Sequence, residues 1–169
     1  GKGAHMALFP NLNTNDPVWR KLLRDVRFRR ALSLAINRHE LNRVIYFGLA
    51  LEAQNTALPD SPLFREHYQK SWAQFDLAEA NRLLDSVGLD KRDSRGVRLL
   101  SDGRPLDIIV ESTGESTEEA DVLELIQDSW LQAGVKLHTK PTQREVMRSR
   151  IYAGDTVMAI SSGMDNGLP

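Results

Sequence analysis

Between Leu106 and Ile160 the chain alternates short apolar runs with amphipathic stretches, and that order constrains the fold more than any other feature. Residues 106–111, LDIIVE, centred on the β-branched run Ile108, Ile109 and Val110, predict a strand. After Thr117, a helix N-cap residue, Val122, Leu125, Ile126, Trp130 and Ala133 recur at helical spacing, and Gly134 supplies a stop. Residues 135–138 predict a second strand. Thr142 and Glu145 then form a capping box for a helix through Ala153, and residues 156–160 predict a third strand. A β-α-β-α-β order predicts an α/β fold: a small mixed sheet flanked by helices, with right-handed crossovers where its strands are parallel.

The first half reads as a helical subunit. Asp16 caps a short helix that starts at Pro17, where a missing N–H costs nothing. Asp25 caps a second helix with Phe28, Leu32, Ala35 and Ile36 on one face. Asn37 and Glu40 read as a capping box for a third helix, with Leu41, Val44 and Ile45 on its apolar side and Gly48 at its end. Residues 49–64, with Pro59 and Pro62, predict a loop, and residues 66–72 a helical turn. Asp76 and Glu79 cap a helix carrying Ala80, Leu83, Leu84 and Val87, which Gly88 stops. Asp102–Gly103, between VRLL and PLDIIV, predicts a β-hairpin.

At 169 residues there is length for one real core. No cysteine is present, which excludes disulfides, thiolate zinc sites and cysteine nucleophiles. The net charge of -1 argues against a general polyanion binder, although charge is unevenly spread. Residues 20–43 hold eight Lys or Arg against Asp25 and Glu40, whereas residues 107–128 hold eight acids and no Lys or Arg. The plain reading is two solvated helical faces. A phosphate- or nucleic-acid-binding module is a weaker alternative, because the strands lack an aromatic platform and the acidic half repels a long backbone. The glycines fall at helix ends and form no nucleotide fingerprint. His5, His39, His67 and His138 form no metal-ligand spacing, and no serine sits in a nucleophile elbow. The residues themselves therefore predict no metal, no cofactor and no catalysis. A non-transport α/β interaction or regulatory domain remains the alternative.

The segment DVRFRRALSLAINRHELNRVIYFGLA at 25–50 resembles the hallmark of the peptide/nickel class of bacterial solute-binding proteins, extracellular solute-binding family 5. The similarity continues through NTALPDSPLF at 55–64, FDLAEANRLLDSVGL at 75–89 and the block at 106–140, and it reaches MDNGLP at 164–169. This resemblance implies one lobe of a periplasmic-binding-protein-like fold, truncated from a larger two-lobed protein. It implies solute capture by lobe closure for an ATP-driven importer, outside the cytoplasm. The implied partners are a small polar solute such as a peptide, the absent first lobe of the same polypeptide and a membrane permease, with no nucleic acid. Residues 1–6, GKGAHM, read as an expression-tag remnant and residues 7–169 as the single lobe, with residues near 11–15 and 164–169 placed by the resemblance near the hinge.

Peptide-binding relatives carry an aromatic-x-x-Asp pattern whose carboxylate pairs with the peptide amino group. Asp165 matches that acid, while Ser162 stands where the tryptophan is usual. Asn166 is then a polar neighbour of the same ligand, and Asn55 and Thr56 supply an amide and a hydroxyl from a loop that reaches the cleft. Oligosaccharides, opine-like compounds and metal chelates stay open as ligands beside peptides.

Overall fold

The computed structural model describes residues 5–40, 44–47, 74–114 and 117–161. Five strands form one mixed sheet: β1 (His5–Pro10), β2 (Val44–Phe47), β3 (Asp107–Ser112), β4 (Lys136–Pro141) and β5 (Met158–Ser161), in the order β2-β1-β5-β3-β4. The three strands of the β-α-β-α-β block are parallel, with β3 between β4 and β5. β1 runs antiparallel to β5, and β2 lies parallel to β1 on the outer edge. The helices are α1 (Pro17–Arg24), α2 (Val26–Leu34), α3 (Leu77–Ser86), α4 (Thr117–Leu131) and α5 (Arg144–Ala153).

Side chains that alternate along the strands put Met6, Leu8, Ile45, Ile108, Val110, Leu137, Met158 and Ile160 into one core. Phe28, Leu32, Leu83, Leu84, Val122, Ile126 and Trp130 join it from α2, α3 and α4. Trp130 is fully buried, and its indole N–H donates to the Leu32 carbonyl at 3.0 Å, which meets the need of a buried Trp for an acceptor. Trp19 of α1 packs edge-on to Phe28 at 6.3 Å. The opposite sheet face carries a smaller cluster of Ala7, Phe9 and Ala159, which α5 covers with Ile151 and the half-buried Met147.

The aspartate caps are where their spacing puts them. Asp16 accepts from the N–H groups of Val18 and Trp19, Asp25 from that of Arg27, and Asp76 from that of Glu79. Arg104 reaches Asp16 from the 101–104 turn at 2.7 Å and holds that carboxyl below the usual aspartate range. Arg27 does the same for Asp25.

Two sequence expectations are corrected. The third helix is a 3-10 turn at Arg38–Glu40 followed by strand β2. Asn37 closes its own turn by accepting from the His39 N–H, and the β-branched and aromatic run V-I-Y-F pairs with the open edge of β1 instead of continuing a helix. The N-cap of α5 is Gln143, which accepts from the Val146 N–H, because the Thr142 hydroxyl turns back to the Lys140 carbonyl. The hairpin around Asp102–Gly103 forms as expected but is short: Leu99 and Pro105 are bridged, flanked by the Leu100 N–H donating to the Arg104 carbonyl and the Leu106 N–H to the Arg98 carbonyl, while a separate bridge of Arg92 with Arg98 closes the turn at 93–96. One strand lay outside the expectations altogether. β1 begins at His5 and Met6, in register with Val44 and Ile45, and Met6 is fully buried.

Candidate functional site

Strand directions bring one end of the sheet to notice. β3, β4 and β5 finish there at Ser112, Pro141 and Ser161, and β1 and β2 start there at His5 and Val44. In open α/β sheets ligands sit beyond the carboxyl ends of the parallel strands. Two loops are stitched together at this edge: the Thr142 N–H donates to the Ser112 carbonyl at 2.7 Å. Gly114 has φ 74°, and a Cβ there would stand 3.4 Å from Pro141. Ala7 lies opposite Ser161, so the start of β1 and the finish of β5 are neighbours.

Asp165 and Asn166 lie outside the described residues, four and five positions past Ser161. Asn55 and Thr56 also lie outside them, after β2, whose direction is away from this edge. None of the four predicted ligand residues is therefore among the described residues. The structure sets residues 11–15 at the other end of the sheet from the finish of β5. Because β1 is antiparallel to β5, that segment follows β1 to the far end of the sheet. There Asn11 donates to the carbonyls of Ile151 and Thr156, the Thr14 hydroxyl to that of Gly154, and Asn15 to that of Ala153.

Several charged residues near the sheet are engaged structurally in ways the sequence did not announce. Glu111 of β3 is buried and accepts a forked ion pair from Arg150 of α5, at 3.0–3.2 Å. That carboxylate holds the Arg150 guanidinium above its ordinary value. Arg98 is buried in full, with its guanidinium spread over the carbonyls of Ala133 and Leu89, the Asn81 amide oxygen and Asp85. The only sequence signal for Glu111 was an acid ending an apolar strand; Arg98 gave none.

Four arginines of the basic segment donate to backbone carbonyls. Arg20 caps the carbonyls of Thr14 and Asn15, Arg24 that of Leu12, Arg29 that of Leu23, and Arg38 those of Ser33 and Ile45. Burial pulls Arg38 down to about 10, which leaves it charged at neutral pH. A phosphate clamp needs donors that are free, and these are committed. His138 lies 3.6 Å from Asp107, and His39 packs edge-on to Phe75. Among the described residues no group of three His, Cys, Asp or Glu is arranged to hold a metal ion, and no helix is long and apolar enough to cross a membrane.

The chain is similar to a dipeptide-binding protein of Escherichia coli (strain K12), 27% identical over 99% of this chain and 30% of that protein. Among solved structures, an oligopeptide-binding protein OppA superposes with a TM-score of 0.74 at 33% identity, covering 94% of this chain and 25% of that one. The stachyose complex of a periplasmic binding protein MelB from Agrobacterium fabrum C58 gives 0.68 at 17% identity, over 93% and 25%, a likeness of fold alone. The chain thus spans less than a third of the length of these relatives. Residues 3–169 match the family model for bacterial extracellular solute-binding proteins, family 5 Middle, and the chain belongs to that family.

Proposed function

We propose that this chain is one lobe of a two-lobed receptor that captures a peptide, or another small polar solute, and hands it to the permease of an ATP-driven importer. The receptor works at the periplasmic or outer face of the cell envelope, as the family description indicates. Its mechanism is mechanical. A solute bridging two lobes stabilises the closed form in proportion to its preference for that form, and no covalent bond changes. The names of the dipeptide-binding and oligopeptide-binding relatives favour peptides over sugars.

The supporting observation is the pairing of Ala7 with Ser161. It sets the start of β1 beside the finish of β5 at the sheet end where parallel strands present ligands, so a second lobe joined through both segments would face that end. Asp165 follows Ser161 closely enough to serve a solute amino group there, since a desolvated cation needs a compensating anion. Asn166, Asn55 and Thr56 are assigned polar contacts with the same solute.

Calorimetric titration of the full-length polypeptide with a peptide and glycan library, beside the 169-residue chain as control, tests the reading. Binding by the full-length protein alone is the expected result. Equally tight binding by the single lobe would place the site wholly within these residues and overturn the two-lobe account.

A further inference from the structure

We draw no further inference here: the strongest candidate, the row of exposed acids Asp121, Glu124 and Asp128 along one face of α4, is what a solvated helix face presents, and nothing in the structure shows what covers it.

Discussion

Arg98 is the residue at which the energetics can be tested most directly. Arg98→Met keeps an unbranched apolar stem in the buried slot and removes only the guanidinium. Two buried acceptors, the carbonyls of Ala133 and Leu89, then lose donors that now stand at 2.7 and 2.6 Å. At about 1–3 kcal/mol for each stranded group, the loss is about 2–6 kcal/mol. The Asn81 amide oxygen keeps Arg92 at 3.2 Å. Asp85 is 59% exposed and returns to water, so its ion pair adds less than about 1 kcal/mol. Against this, the variant no longer desolvates a charge, a saving that in some proteins makes a buried ion pair replaceable by hydrophobes. Here the stranded groups are backbone carbonyls, which the substitution cannot change, so the loss wins by about 3 kcal/mol. For a chain of this length that is a fall of roughly 6–12 °C in Tm. Urea unfolding followed by tryptophan fluorescence should show a lower midpoint with an unchanged slope. A loss below about 1 kcal/mol would refute the reasoning, because the desolvation saved would then have cancelled the hydrogen bonds lost.

Other sites give shorter tests. Gly154 has φ 82°, and a Cβ there would stand 2.5 Å from the Asn15 side chain; Gly154→Ala should cost about 2–3 kcal/mol in urea unfolding, and Asn15→Ala in the same chain should recover the part due to the clash but not that due to φ. Gly88 also has positive φ but open space around it, so Gly88→Ala should cost only about 1 kcal/mol by the same measurement. The Ser129 hydroxyl accepts from the Asn37 N–H and donates to the Ala35 carbonyl; Ser129→Ala strands both and should lower stability by about 2–4 kcal/mol by chemical denaturation. Asp16 and Asp25 have folded pKa values below the ordinary aspartate value of about 3.9, so their contribution is complete above that pH and is lost as pH falls through the folded values. Asp16→Asn, which keeps a cap acceptor but loses the Arg104 pair, should therefore lower Tm slightly at pH 7, by a margin that shrinks as pH falls through the folded pKa of Asp16.

What the sequence made legible is what local chemistry decides. Asp16, Asp25 and Asp76 cap helices because a short acceptor before an apolar-periodic run has few other uses, and residues 106–160 read in the right order because strand and helix periods differ. The α4 stripe was right in outline, although Leu123 is buried where Leu125 is only partly so. Failures came where distant pairing outweighed local preference. Val44–Phe47 has apolar residues at both strand and helix spacings, and only the free edge of β1 decides between them. β1 in turn was hidden because it is buried on both faces and so lacks alternation: Met6 and Leu8 enter one cluster, Ala7 and Phe9 the other.

The four predicted ligand residues were legible only through resemblance, since Asn, Thr and Asp near turns are ordinary. The neighbours of β4 were equally out of reach: that Lys136, His138 and Lys140 stand beside Asp107, Ile109 and Glu111 follows from the pairing of β4 with β3, a contact that no local pattern in either segment announces.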